Sequence, residues 1–273
     1  MKFTKMQGTG NDFIVIDDRK NSFLGKEGEL AKKLCDRKFA IGADGILLVR
    51  NSDIAQIKMI IMNADGSYAS MCGNGIRCFA KYVWDEDIVK GESITIETGD
   101  GVKEAILHLE NNSIKEVTIN MGTPSFEVEK IPARFNEEVI NKRIKVENKE
   151  YNITSMLMGV PHTIIFGKLE DYNVEEGKSI EKCEFFPDGT NVNFCEVVSG
   201  NKVKVKTWER GAGPTLACGT GSCASVIAAN KLSLTAGSVE VQVPGGKLFI
   251  EIKKNEVFMT GPAVVSFKGE YEL

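Results

Sequence analysis

The 273-residue chain repeats itself once, and that duplication constrains the fold more than any single motif. Met71-Cys72-Gly73-Asn74-Gly75 and Ala217-Cys218-Gly219-Thr220-Gly221 are near-copies separated by 146 residues (218 − 72). Around them, a glycine turn running into an apolar strand occurs at Gly10-Asn11 and again at Gly159-Val160, an offset of 149 (159 − 10). Asp44-Gly45 matches Asp188-Gly189 at 144 (188 − 44), and Ser93 to Gly101 matches Ser238 to Gly246 at 145 (238 − 93). Four elements in one order at similar offsets imply two related lobes, because a solenoid would repeat every roughly 20–50 residues.

Strand-like alternation of β-branched and aromatic residues runs through residues 13–17, 45–49, 57–62, 93–98 and 117–120. It recurs at 163–166, 192–198, 203–208, 239–243 and 248–252. Helical periodicity covers 29–37, 75–84, 136–142 and 221–231. The expected fold class is therefore α+β: two pseudo-symmetric lobes, each a curled, mostly antiparallel sheet around a central helix inserted after the third or fourth strand. Ser222 to Ala229 carries no charge, and a helix of that kind is better enclosed than laid on a surface. Turn residues at Gly122-Thr123-Pro124 and Thr260-Gly261-Pro262 place the N-terminal lobe at 1–121 plus 262–273 and the C-terminal lobe at 122–261. The last strand, 264–268, then returns to the first lobe.

Charge and cysteine usage narrow the function. With 34 basic against 38 acidic residues and no block of five like charges, nothing marks a nucleic-acid or anionic-membrane surface. No apolar segment approaches the roughly 20 residues that span a bilayer, and the first residues lack the apolar run of a signal peptide. The expectation is a cytoplasmic protein with a small-molecule partner. Seven cysteines, none in CxxC, read as thiols, and with two histidines the spaced ligand pairs of a zinc site are missing. No metal is called for.

A cysteine at the first turn of a helix faces unpaired backbone N–H groups and the positive end of the dipole, which favour a thiolate and bind carboxylates. The glycines after each cysteine let backbone approach a ligand closely. One such loop would suggest a nucleophile or redox thiol, and a lone Cys-Gly is more often a packed core residue. The duplication reverses that reading: a thiolate and a thiol on opposite faces of a carbon can remove a proton and return it from the other side. Cys35, Cys78, Cys183, Cys195 and Cys223 read as core thiols.

Gly8-Thr9-Gly10-Asn11-Asp12-Phe13, Asn63-Ala64-Asp65-Gly66-Ser67, Met71 to Cys78, Glu209-Arg210-Gly211-Ala212-Gly213 and Ala217 to Gly221 together resemble the diaminopimelate epimerases, members of the cofactor-independent two-cysteine racemase and epimerase superfamily. The resemblance spans residue 3 to the last strand. It implies epimerisation of LL-2,6-diaminopimelate to the meso form, in lysine and peptidoglycan-precursor synthesis, by a homodimer that uses no cofactor. It further implies Cys72 and Cys218 as the catalytic acid and base. The backbone N–H groups of Gly73, Asn74, Gly219 and Thr220 would hold the reacting carboxylate, and Asn11, Asn63, Asn191 and Arg210 the distal amino-acid end. His162 and Glu209 would support catalysis, Glu209 also touching substrate opposite Asn63 (209 − 146). Val160 and Gly45 depart from the family pattern, where Asn and Gln are common, so two distal contacts are missing. The rival readings are a racemase of proline, hydroxyproline or histidine type and, more distantly, a non-catalytic dithiol redox sensor.

Overall fold

The computed structural model describes residues 1–273, with 18 strands, four α-helices and three short 3-10 turns. Two compact units account for the chain: Met1–Asn120 with Thr260–Leu273, and Met121–Met259. No helix is long and apolar enough to cross a membrane.

The first unit contains β1 (Lys2–Gly8), β2 (Asn11–Asp17), α1 (Glu27–Leu34), β3 (Gly45–Arg50), β4 (Ile57–Asn63), β5 (Tyr68–Ala69), α2 (Gly73–Asp85), β6 (Ser93–Thr98), β7 (Gly101–Glu110) and most of β8 (Ser113–Gly122). The second contains β9 (Lys142–Val146), β10 (Lys149–Met158), β11 (Val160–Phe166), α3 (Gly177–Glu181), β12 (Asn191–Ser199), β13 (Lys202–Glu209), β14 (Gly213–Thr215), α4 (Gly219–Lys231), β15 (Ser238–Val243) and β16 (Gly246–Lys253). Within β17 (Glu256–Pro262) the chain returns to the first unit, where β18 (Val264–Glu270) pairs with β1.

The duplication reappears as pairing. In the first unit β1/β2 is antiparallel, β2/β3 parallel, β3/β4 and β4/β5 antiparallel, β4/β6 parallel and β6/β7 antiparallel. The strands β10/β11, β11/β12, β12/β13, β13/β14, β13/β15 and β15/β16 repeat that series in the same order. Each series wraps a helix: α2 packs on β1, β2, β3, β4 and β7, and α4 on β10 to β13, β15 and β16. Both helices are buried on almost every face, so the sheet has to curl to cover them. The other face of β2 and β3, with Ile14, Ile16, Ile46 and Leu48, packs on α1 in a separate core, as the two-residue period of a strand requires.

The register corrects one sequence alignment. Phe13 pairs with Gly45 and His162 with Asn191, so the position equivalent to Gly45 is Asn191, at 146, and not Gly189. Residues 136–142 form no helix. Seven residues are too few to sustain one without tertiary support, and the backbone follows β10 instead, with Ser155 N donating to Val139 O and Asn141 N to Thr154 Oγ1. Val139 is buried there in the second unit's core. The central helices also come later than expected, after β5 and β14, because those two short hairpin strands carry little strand signal in the sequence and β1 and β10 are interrupted by polar residues.

Candidate active site

Both cysteine motifs build the same local structure. Cys72 caps α2 in extended conformation, its Sγ accepting from Gly75 N at 3.4 Å, and Cys218 caps α4 with Sγ accepting from Gly221 N at 3.3 Å. Sulfur takes the place usually held by a serine or aspartate oxygen, satisfying one of the helix's orphan N–H donors. The positive end of the dipole lies against each sulfur.

Around the two caps the units differ. Beside Cys72, Sγ donates to Asn11 Oδ1 at 3.5 Å and Asn74 Nδ2 donates to the same oxygen at 3.4 Å. Asn11 Nδ2 donates to Asp44 Oδ2 at 2.7 Å, and Asp44 and Asp12 share the guanidinium of Arg37. Lys5 closes the group at 2.7 Å from Asp12. Burial works against ionisation of Asp12, but hydrogen bonds from Arg37 and Lys5 outweigh it and hold the carboxyl down at about 2. Asn11 is thereby fixed in orientation by a salt-bridged carboxylate.

Beneath Cys218 lies a buried amide and imidazole. Asn193 Oδ1 accepts from Thr207 Oγ1 at 3.0 Å, while its Nδ2 faces His162 Nδ1 at 3.1 Å and Thr163 O at 3.4 Å. Since Asn193 is the donor, the proton of the neutral ring sits on Nε2. That Nε2 is buried with no hydrogen-bond partner. Burial, with the charge of Arg210 adding to it, pushes His162 down to about 3, so the ring is neutral at pH 7. A Cβ on Gly221 would stand 2.3 Å from Asn193 Oδ1, whereas one on Gly75 would meet the apolar Phe13 and Leu47 at 3.3 and 3.4 Å. His162 and Asn193 thus occupy the positions of Phe13 and Leu47 (162 − 149 and 193 − 146).

The remaining residues singled out in the sequence fall near these groups or hold their own loops. Thr220 Oγ1 is 3.5 Å from Cys218 Sγ. Asn191 Oδ1 accepts from Arg210 N at 2.7 Å, and Arg210 Nη1 donates to Asp188 O at 2.7 Å. Glu209 Oε1 accepts from Thr215 Oγ1 at 2.6 Å. Asn63 is exposed at the end of β4, its amide donating to Ser67 Oγ at 2.9 Å within its own turn. Gly45 has a steric reason to lack a side chain: a Cβ there would lie 2.6 Å from the Met62 carbonyl oxygen. Val160 is partly exposed where β11 opens. Cys35, Cys78, Cys195 and Cys223 are buried, and Cys183, half-buried, packs against the second unit's core.

Asp44, Asn193 and Thr215 orient site residues and were not assigned that role from the sequence. Asn193 carried a signal, an amide inside the apolar run Val192-Asn193-Phe194-Cys195. No cluster of three or more His, Cys, Asp or Glu side chains stands ready to hold a metal.

Comparison with known proteins adds a family. The model of the family described as diaminopimelate epimerase matches residues 3–127 and 154–266. A diaminopimelate epimerase of Clostridium perfringens is 58% identical over 271 residues, 99% of each chain, and one of Caldanaerobacter subterraneus subsp. tengcongensis is 47% identical over 277 residues, all of each chain. Among solved structures, a probable proline racemase from Agrobacterium radiobacter K84 superposes with a TM-score of 0.74 at 12% identity, covering 100% of this chain and 93% of that one. A hydroxyproline epimerase from Agrobacterium vitis superposes at 0.71 with 13% identity, covering 98% and 91%. At such identity these two structures report the fold alone.

Proposed function

The chain belongs to the diaminopimelate epimerase family, and from that premise we propose that it interconverts LL- and meso-2,6-diaminopimelate by moving one α-proton between Cys72 and Cys218. The observation that carries the reading is the matched pair of cysteine caps, each with sulfur on a glycine N–H at 3.3–3.4 Å. A thiolate on one face takes the α-proton and becomes a thiol. The electron pair passes into the carboxylate as an enolate, and the second thiol gives its proton to the opposite face, ending as thiolate. No net proton is consumed, and the enzyme emerges with the two roles exchanged.

The enolate is the difficult species, and fixed donors aimed at its oxygens lower the barrier most. The N–H groups of Gly73, Asn74, Gly219 and Thr220 are such donors, each at the first turn of a helix. His162, neutral and with Nε2–H unsatisfied, offers a further donor without a competing charge. Asn11, Asn63, Asn191 and Arg210 read the distal end, where a guanidinium can take a carboxylate bidentately, and Glu209 touches substrate at the catalytic region that His162 also supports. On the family resemblance we also infer a cytoplasmic homodimer.

The test is α-deuterium incorporation into LL- and meso-diaminopimelate in D₂O under reducing conditions, with neither pyridoxal phosphate nor metal added. Exchange at both stereoisomers with inversion is expected. Preference for proline, hydroxyproline or histidine would transfer the assignment to another racemase, and a folded, reduced protein that exchanges no amino acid would leave only the dithiol-sensor reading.

A further inference from the structure

Arg77 lies one turn into α2 with its side chain wholly shielded from solvent. Nη1 donates to Gly73 O at 3.0 Å, Nη2 to Thr9 Oγ1 at 3.2 Å and Nε to Pro262 O at 3.2 Å. These acceptors belong to three segments: the first turn of α2, the β1–β2 turn and the end of β17. The contact with Thr9 extends further, for Thr9 Oγ1 donates to Asn74 Oδ1 at 3.3 Å, Asn74 Nδ2 to Asn11 Oδ1 at 3.4 Å, and Cys72 Sγ meets that same oxygen at 3.5 Å. That chain fixes the geometry around the thiol but ends on an oxygen to which Sγ–H donates, a bond that favours the neutral thiol, and the charge that opposes it is the buried guanidinium itself.

Two further features fit a built arrangement. Thr9 sits at φ 53, a left-handed conformation that β-branched residues rarely adopt, and its hydroxyl is held from both sides. Gly8 leaves room for the guanidinium, since a Cβ there would come within 3.2 Å of Nη2 and 3.1 Å of Asn74 O. The equivalent of Arg77 in the second unit is Cys223 (77 + 146), small and buried, so the cation belongs to one cap only.

Few other charges face this point. On α2, burial pushes the Cys78 thiol up to about 12 despite the nearby Arg77 charge, leaving it neutral. Lys5 of β1 and Asp12 of β2 are paired with each other, and Asp44, held by Arg37, reaches the network through Asn11. The buried residues of β3, β4 and β7 near α2, such as Leu47, Ile61, Ala105 and Leu107, are apolar. Arg50, Lys58 and Lys103 on those strands are engaged by Asp18 and Glu27, by Glu97 and by Asp100, respectively. Glu104, His108 and Glu110 of β7 lie toward solvent.

We propose that Arg77 is a positioning residue for the proton transfer: its buried cation locks Thr9, Gly73 and Pro262 together one turn along α2 from Cys72, and the charge fixed there favours the ionised form of that thiol against the Asn11 oxygen, which accepts from its neutral form. The proposal rests on the reading that Cys72 exchanges the α-proton, but its readout does not depend on turnover. Alkylation of Cys72 by iodoacetamide, followed by peptide mass spectrometry across pH, reports the thiolate directly. Arg77→Gln is expected to raise the midpoint by about one unit, roughly tenfold less thiolate at neutral pH, with the half-buried Cys183 unchanged as control. Arg77→Lys, which keeps the charge but loses the fork, is expected to restore the midpoint more than it restores epimerisation. A folded Arg77→Gln protein whose Cys72 midpoint stays at the wild-type value overturns the proposal. Should Arg77→Gln not fold, Gly8→Ala shifts the guanidinium without removing it. A smaller rise in the same direction supports the proposal, and an unmoved midpoint overturns it. Loss of exchange in wild type with a normal Cys72 profile would instead count against the epimerase reading.

Discussion

The two helix caps share a backbone and differ in what lies around them. α2 rests its first turn on Phe13 and Leu47 and keeps its polar partners beside the sulfur, in Asn11, Asp44 and Arg37. α4 rests its first turn on Asn193, with His162 behind it. A duplicated scaffold can supply two equivalent thiols, but a substrate with distinguishable ends needs inequality. Here it is obtained by exchanging two apolar floor residues for an amide and an imidazole while the caps stay constant.

The largest test of the comparison is to remove either sulfur. Cys72→Ala and Cys218→Ala should each lower epimerisation by roughly 10²–10⁴-fold or more, as expected for loss of a positioned acid or base. Near-normal steady-state turnover by either variant would end the two-thiol mechanism. Next come the glycines. Gly221→Ala drives a methyl into Asn193, 2.3 Å away, and should cost about 1–3 kcal/mol in urea denaturation. In Gly75→Ala the contacts begin at 3.3 Å, and the gain in helix propensity of about 1 kcal/mol offsets the crowding, so the net change should be near zero. Equal costs would show that the two floors are interchangeable.

The third test exploits His162. Its folded pKa, about 3, lies below the unfolded value of about 6.5, so its contribution to stability is present above pH 6.5 and is lost as pH falls toward 3. At pH 5.5 the loss should be about 1.4 kcal/mol. His162→Phe, which copies Phe13, should remove that part of the slope when urea midpoints are compared across pH. Asp12 loses its contribution lower, as pH falls from its unfolded value of 3.8 toward about 2, so it adds to the slope only at the acid end of the His162 window. A smaller effect than the loss of either sulfur is expected from Thr215→Val, which deletes the 2.6 Å bond to Glu209 and should cost about 1 kcal/mol of binding, read as a raised KM with kcat less affected.

The sequence disclosed what depends on local chemistry. Cysteine before alternating glycines marks a helix start whatever surrounds it, and both caps lie where the motifs put them. The repeat disclosed the two units, because each series of strand pairings follows the same order. Asp44 and Arg77 were hidden because their partners lie far away in the chain, and the amide of Asn193, though out of place in an apolar run, gains its meaning only when a helix N-terminus is laid over it. β1 was hidden for a related reason, since Lys5 looks like a solvent-facing residue until Asp12 is paired with it. The absent helix at 136–142 shows the reverse case, an apolar spacing captured by a neighbouring strand. Gly45, readable only as a missing side chain, became a steric requirement once the Met62 carbonyl stood opposite.

The pairing of β1 with β18 carries a consequence for biosynthesis. Lys2 lies against Glu270, and the N-terminal amine donates to Tyr271 O, so the first strand has β2 on one side within a few residues but gains its other neighbour only after nearly the whole chain has been translated. Contacts that distant in sequence close slowly, because the loop entropy is lost before they form. The second unit is one uninterrupted stretch and can complete its sheet while it emerges. The half that holds Cys72 is started before the second unit and completed after it, its first strand lacking one neighbour in between.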